Sequence, residues 1–141
     1  MNMTVQGGLG VWWRALRTYS SPASVVPVLV GTALALGSGG EVAWGLLPVV
    51  LVCAVLFHAG TNVINDYFDF VGGVDKNDPH GGSSGVLVKD LLRPPEIFAY
   101  GVSLFRVGVL LGIVLTILSW PADAPPRRRR PPRRLSVHRR P

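Results

Sequence analysis

The sequence predicts an all-α membrane protein in which an interfacial helix precedes three transmembrane helices. The prediction depends on long apolar runs and on the short polar link between the first two. A spanning helix needs about 20 mostly apolar residues. Residues 42–59 carry no Asp, Glu, Lys or Arg, residues 97–120 carry Arg106 alone, and residues 23–38 form a shorter uncharged run. With flanking residues included, the predicted spans cover about 19–38, 42–68 and 96–120.

The N-terminal segment predicts the interfacial helix. Residues 1–10 show no pattern and are predicted to be flexible. Residues 11–19, VWWRALRTY, combine tryptophans with Arg14 and Arg17, and such a mixture favours the headgroup region of a membrane. A cleaved signal peptide is the competing interpretation of the first apolar run. Its apolar core is long for a signal, however, and two further spans follow.

The net charge of +6 comes from the C-terminal segment. Residues 121–141 hold eight arginines and one aspartate, so the preceding 120 residues have a net charge of −1. This Arg/Pro-rich tail has almost no side chains that can build a core and is predicted to be disordered. Because no folded reader domain accompanies the arginines, nucleic-acid binding is not expected.

A polar loop of 28 residues, 69–96, connects the second and third predicted spans. It is longer than a simple connection needs, which is typical of functional loops. Within it, GVLVKDLL at residues 85–92 favours a short amphipathic helix. Pro94 and Pro95 mark the entry to the third span, because proline suits the first turn of a helix.

A row of polar side chains, the polar stripe, occupies the end of the second span. Asn62, Asn65, Asp66 and Asp69 follow the spacing i, i+3, i+4, i+7, which on an α-helix is one face. Asp75 follows a short glycine link and can fold back toward this face. Aspartates at a helix C-terminus oppose its partial negative charge unless a cation is present. Carboxylate and amide oxygens suit Mg²⁺ or Ca²⁺, and Mg²⁺ is commonly shared with substrate phosphates. The stripe predicts a metal or phosphate site, with an ordinary solvated helix end as the alternative.

The same residues carry a family resemblance. NDYFDFVGGVD, with Asn65, Asp69 and Asp75 in an N-x3-D-x5-D arrangement, resembles the first Asp-rich motif of the UbiA family of intramembrane prenyltransferases. GGSSGVLVKDLLRPPE is similar to the loop that follows the motif in menaquinone-type relatives, the 1,4-dihydroxy-2-naphthoate polyprenyltransferases. The resemblance covers residues 10–118 and includes the interfacial helix, two spans, motif, loop and third span in that order.

The resemblance implies the N-terminal part of a larger helical bundle around a polyprenyl diphosphate. In such enzymes Mg²⁺ bridges the diphosphate to two Asp-rich motifs, and the prenyl group passes to an aromatic acceptor. Carried over by motif position, the catalytic and metal-binding residues would be Asn65, Asp69 and Asp75. Residues that would line the site or bind the diphosphate are Asn62, Asp66, Lys89, Arg93 and Arg106.

The three basic residues also have structural interpretations. Lys89 and Arg93 suit diphosphate oxygens, but basic side chains are also common beside a cytoplasmic helix end. Arg106 lies about ten residues into the third span, where an ionisable residue is a functional candidate by default. Its structural alternatives are a pair with Asp66 or a side chain that extends to the membrane surface.

The sequence departs from the family pattern after Trp120. The family's second Asp-rich motif has no counterpart in these 141 residues, and Arg, Pro and Ala dominate the tail. GC-rich codons read out of frame give this composition. We therefore expect a truncated or frameshifted product that is catalytically incomplete. The alternatives are a non-catalytic membrane protein and a small transporter that uses Asp66, Asp69 and Arg106.

The arginines before the first span predict the orientation. Arg14 and Arg17 favour a cytoplasmic N-terminus by the positive-inside rule. After two spans the chain returns to the same side, so the loop with the Asp-rich motif should face the cytoplasm. The predicted location is the plasma membrane, with the lipid bilayer, a polyprenyl diphosphate and an aromatic acceptor as partners.

Overall fold

The structure, a computed structural model, describes residues 8–74 and 83–119. Within those ranges every regular element is helical, which confirms the predicted all-α class. The elements are α1 (Leu9–Ala15), a 3-10 turn (Thr18–Ser20), α2 (Pro22–Gly37), α3 (Leu47–Val71) and α4 (Pro94–Ser119). Residues 75–82 of the predicted loop, which include Asp75, and the predicted tail lie outside the described residues.

Two helices, α3 and α4, are each long and apolar enough to cross a membrane. The segment Leu9–Ser20 meets α2 at an angle of 48°, and this bent pair gives a third candidate span if it is counted as one. Many large apolar side chains along the three longest helices are exposed. Such surfaces require lipid or further helices around them, as the prediction of a polytopic membrane protein expects.

Helices α3 and α4 form an antiparallel hairpin in which small residues lie at the helix–helix interface. A Cβ added at Gly101 would lie 2.7 Å from Cγ1 of Ile64, and one at Gly108 would lie 3.3 Å from the ring of Phe57. The thiol of Cys53 donates to the carbonyl of Gly108 at 3.3 Å. Small residues allow this close approach, which is the usual way in which membrane helices associate.

Helix α4 begins at the proline pair, as the sequence predicts. Pro94 and Pro95 occupy its first turn, where their missing N–H groups cost nothing. The carboxylate of Glu96 accepts a hydrogen bond of 2.8 Å from the backbone N–H of Arg93. This contact is one half of a capping box and fixes the start of the helix.

The predicted interfacial helix is interrupted at Arg17. Helix α1 ends at Ala15, and Arg17 has φ 52° and ψ 49°, in the left-handed region. Few residues other than glycine adopt this conformation, and those that do often lie at turns or functional sites. The chain then continues through the 3-10 turn into α2.

The short helix predicted over residues 85–92 is wrong. Gly85 and Asp90 have φ angles of 70° and 51°, which interrupt a helical backbone at both ends. The backbone N–H of Lys89 donates to the carbonyl of Gly85 at 3.2 Å and closes a turn. The neighbouring side chains Val86 and Leu87 are both buried, and a turn buries such adjacent residues better than one face of a helix.

The core lies where α1, the loop of residues 83–93 and the facing ends of α3 and α4 meet. The ring of Trp12 in α1 packs edge-on against Tyr100 in α4, with centroids 4.9 Å apart. Tyr67 in α3 packs against Phe98 at 5.0 Å. The polar end of α3 therefore adjoins the best-packed part of the molecule. The buried core residues are Ala15, Val63, Val86, Leu87, Leu92 and Ile97.

Candidate functional site

The polar stripe lies on one continuous helix, because α3 extends to Val71. Its members differ in exposure. Asp66 is 3% exposed, Asn65 is exposed, and Asn62 and Asp69 are half-buried. The stripe thus has a buried edge, which faces α1 and the loop, and an exposed edge.

The exposed edge offers oxygen ligands. Within residues 8–74 and 83–119, the side chains of Asn65 and Asp69 make no hydrogen bond or ion pair. They are one helical turn apart, so an amide and a carboxylate oxygen can approach the same ion. This donor pair fits a hard cation such as Mg²⁺, which needs few protein ligands when a phosphate supplies others. The described residues contain no group of three His, Cys, Asp or Glu that could hold a metal, and Asp75 lies outside them.

The buried edge is occupied by contacts within the protein. One carboxylate oxygen of Asp66 lies 3.4 Å from Nη1 of Arg17, and the other accepts the backbone N–H of Ser84 at 3.0 Å. The carbonyl of Ser84 accepts a bond of 3.1 Å from Nε of Arg14. The recorded ion pair of Asp66 is therefore with Arg17 in the turn before α2 and not with Arg106.

A hydroxyl joins the stripe to the first part of the chain. Ser20 Oγ donates to the carbonyl of Arg17 at 2.8 Å and accepts from Nδ2 of Asn62 at 3.0 Å. Nε2 of His58 lies 2.8 Å from the same oxygen. A hydroxyl has one proton, so with that proton on the carbonyl, His58 donates through Nε2–H. Asn62 is held in place by this network, one turn before Asn65.

The predicted basic residues divide into two locations. Lys89 and Arg93 are exposed on the loop that covers the stripe end of the hairpin. Arg106 is exposed on α4 beside an apolar groove of about 480 Å³. Since Phe105 packs at Gly60, Arg106 lies about 15 Å along the hairpin from Asp69, at 1.5 Å per helical residue. The structure brings Lys89 and Arg93, but not Arg106, to the stripe end.

The sequence indicated Arg14 and Arg17 as signals of an interfacial helix and of orientation, whereas the structure places Arg17 against Asp66 and Arg14 against the carbonyl of Ser84. They line a pocket of about 310 Å³ together with aromatic and hydroxyl side chains. Nε of Arg17 donates to the hydroxyl of Tyr19 at 3.1 Å. Arg17 and Asp66 are 49 positions apart, so no local pattern could reveal the pair. The other lining residues are Trp13, Thr18, Tyr19, Ser83 and Ser84.

The sequence of this chain is similar to the sequences of known proteins. Residues 24–122 match the UbiA prenyltransferase family. UbiA prenyltransferase domain-containing protein 1 of Danio rerio is 35% identical over 121 residues, which are 84% of this chain and 34% of that protein. The proteins of the same name from Xenopus tropicalis and Homo sapiens are each 36% identical over 107 residues, covering 74% of this chain and 30% of their own length.

The chain spans about a third of the length of these curated relatives. No solved structure matches it. The family match covers more than half of the sequence and includes most of α2, together with α3, the following loop and α4. Because the polar stripe and the helices that carry it lie inside that match, the chain belongs to the UbiA prenyltransferase family.

Proposed function

We propose that this chain contributes the first Asp-rich part of a site that transfers a prenyl group from a polyprenyl diphosphate to an aromatic quinone precursor. Membership of the family supports prenyl transfer in general. The observation that carries the proposal is the pair of exposed Asn65 and half-buried Asp69, one turn apart at the end of a membrane helix and without polar contacts among the described residues.

The chemistry of the reaction requires charge at this place. When the diphosphate leaves, negative charge grows on its oxygens, and bound Mg²⁺ would stabilise that charge electrostatically. Asn65, Asp69 and Asp75 would hold the ion. Lys89 and Arg93 would donate charge-assisted hydrogen bonds to the diphosphate oxygens.

The remaining predicted residues have supporting roles in this proposal. Asn62, fixed by Ser20, would line the same face. Arg106 would face the polyprenyl diphosphate deeper in the membrane, where a charged side chain requires a polar partner. Asp66 would support the binding of the diphosphate from the buried edge of the stripe.

We further propose that the acceptor is 1,4-dihydroxy-2-naphthoate and that the site faces the cytoplasm from the plasma membrane. The acceptor is supported by the similarity of residues 81–96 to the loop of menaquinone-type relatives. The orientation is supported by Arg14 and Arg17 before the first span.

Prenyl transfer by a chimeric enzyme tests this function. Residues 10–118 would replace the matched third of the Danio rerio relative, and prenylated product would be measured with and without EDTA. We expect Asp69→Ala and Asp75→Ala each to lower kcat/KM by about a hundredfold or more, the scale on which lost charge stabilisation acts. Asn65→Ala should cost less, because an amide contributes no charge.

Glu41→Ala is the matched control, because it removes an exposed acid from the link between α2 and α3, beyond the opposite end of α3. It should leave the turnover of the chimera unchanged. An active chimera with near-normal turnover in Asp69→Ala would remove the proposed role of the stripe.

The 141-residue chain assayed alone separates the catalytic from the non-catalytic interpretation. We expect no prenylated product, because it carries one Asp-rich motif and the proposed clamp requires two. Product above the level of an Asp69→Ala control would show that one motif suffices.

A further inference from the structure

Within the proposed site, on which this inference rests, we propose that Asp66 is a positioning residue. Together with Arg17 it holds the loop of residues 83–93 against α1, and this loop carries Lys89 and Arg93.

Side chains from two helices hold the backbone of Ser84. The N–H of Ser84 donates to Asp66 from α3, and its carbonyl accepts from Arg14 of α1. Ser84 is 9% exposed, so both backbone groups need partners inside the protein. Its hydroxyl accepts a long hydrogen bond of 3.4 Å from the backbone N–H of Val86. Recognition therefore uses the backbone of residue 84 rather than its side chain.

The backbone of Arg17 is left-handed. A left-handed conformation is unfavourable for arginine and persists only where surrounding contacts compensate for it. Here the guanidinium reaches Asp66, and its side chain is 20% exposed against 5% for that of Asp66. Removing Asp66 takes the ion-pair partner from a guanidinium that is largely shielded from solvent, and removing Arg17 takes a cation from a carboxylate that is shielded still more. The strain at Arg17 is therefore coupled to the carboxylate that holds the loop.

The anchored peptide lies where the loop enters the core of the protein. The loop residues Val86, Leu87 and Leu92 pack in the core beside Val63 of α3. The anchored peptide precedes them and fixes where the loop enters this core. Lys89 and Arg93 follow in the same segment, so the position in which the loop holds them at the stripe end of the hairpin depends on that anchor.

Loop mobility in the unliganded 141-residue chain tests the anchor. A nitroxide at Val88→Cys, which is 40% exposed, would be recorded by EPR in lipid nanodiscs on a Cys53→Ser background. We expect Asp66→Asn and Arg17→Gln each to lower the ratio of immobile to mobile label about tenfold, since each breaks a part-buried ion pair. The double variant should be no more mobile than either single one, because both act on one unit.

Two matched controls sharpen this test. Asp69→Asn makes the same chemical change three positions further along α3, on the exposed edge of the stripe. It should leave the label immobile. Ser84→Ala keeps the backbone N–H and should also leave it immobile. Mobility in Asp66→Asn equal to that in Asp69→Asn would overturn the inference.

Addition of Mg²⁺ and pyrophosphate separates this inference from the proposed function. In Asp66→Asn, whose metal ligands are intact, the ligands should make the label at residue 88 immobile again. In an Arg17→Gln/Asp69→Asn double variant, which lacks a metal ligand, they should not. If the label stays mobile in both variants while the pattern without ligand is as expected, the anchor stands and the proposed function fails.

Hydrogen exchange on the unsubstituted chain covers the case in which Asp66→Asn does not fold. The Ser84 amide should exchange at least about tenfold more slowly than the exposed amides of the loop, because it is bonded and buried. Exchange at the rate of the exposed amides would overturn the proposal.

Discussion

At the residue scale, the end of α3 divides its polar side chains between two environments. Asp66 contacts Arg17 and Ser84 inside the protein, whereas Asn65 and Asp69 point away from those contacts and keep their oxygens accessible. One buried acid can be satisfied by a cation and an N–H group. Ligands for an added ion must instead remain uncommitted, as these two are within the described part of the chain.

Ser20 gives a residue-scale prediction about stability. Ser20→Ala removes the acceptor shared by Asn62 and His58. Two half-buried donors then lose their partner, and we expect the free energy of unfolding to fall by about 1–2 kcal/mol. Denaturant titration in detergent, followed by tryptophan fluorescence, measures this loss.

Ser103→Ala is the control for that prediction. Ser103 is exposed and bonds only the carbonyl of Tyr100, at 2.7 Å, in its own helix. Its replacement should change stability by less than about 0.5 kcal/mol. Equal effects of the two substitutions would contradict the role given to Ser20.

How far single residues could be predicted depends on whether their signal was local. The row from Asn62 to Asp69 follows from helical spacing, and α3 carries it as one continuous helix. The split of that row into buried and exposed edges did not follow, because it depends on Arg17 and Ser84, which are distant in sequence. Ser20 gave no signal at all, since a lone serine before a helix is common.

At the element scale, the hairpin of α3 and α4 depends on backbone proximity more than on large side chains. Gly101 lies directly against Ile64 and Val63. In a membrane the lipid is as apolar as the helix surface, so close packing supplies much of the association energy.

Gly101→Ala tests this packing. The added methyl group would meet Ile64 at 2.7 Å, and such overpacking costs about 1–3 kcal/mol. The gain in helix propensity, up to about 1 kcal/mol, offsets part of that cost. We expect a net loss of hairpin stability in SDS titration monitored by circular dichroism.

Gly112→Ala makes the same change in the same helix, where an added Cβ meets no atom of the described residues within 4 Å apart from the adjoining backbone of its own helix. It should be neutral or stabilising. The difference between the two variants isolates the clash, and a difference near zero would show that Gly101 is not required at the interface.

The sequence predicted the elements unequally. The long helices follow from their apolar runs, and the start of α4 follows from Pro94 and Pro95. The helix expected over residues 85–92 failed because Gly85 and Asp90 take left-handed conformations, and tertiary burial overrode the local pattern. The break at Arg17 was likewise set by a tertiary pair.

At the scale of the whole molecule, the exposed apolar surfaces and the charge distribution have consequences for insertion. By the positive-inside rule Arg14 and Arg17 would place the N-terminus in the cytoplasm, and three alternating spans would then place residues 121–141 outside. That segment holds eight arginines. Each arginine near an anionic cytoplasmic leaflet gains about 1 kcal/mol, which the external position forgoes.

We therefore predict that the chain inserts in more than one orientation and that removal of residues 121–141 leaves one. A single cysteine at Ser136, on a Cys53→Ser background, would be labelled from each side of the membrane. A mixture of accessible and protected label is the expected result. Uniform external labelling in abundant, stable protein would contradict this argument.

The most direct test of the central claim is whether the end of α3 holds a divalent cation together with a diphosphate. Mn²⁺, a hard paramagnetic ion with similar ligand preferences to Mg²⁺, would be titrated with pyrophosphate into the 141-residue chain in nanodiscs and followed by EPR. We expect a bound Mn²⁺ signal that requires pyrophosphate, that Mg²⁺ displaces, and that Asp69→Asn abolishes while Glu41→Gln retains it. A bound signal of equal size in Asp69→Asn, or none in the unsubstituted chain, would contradict the account.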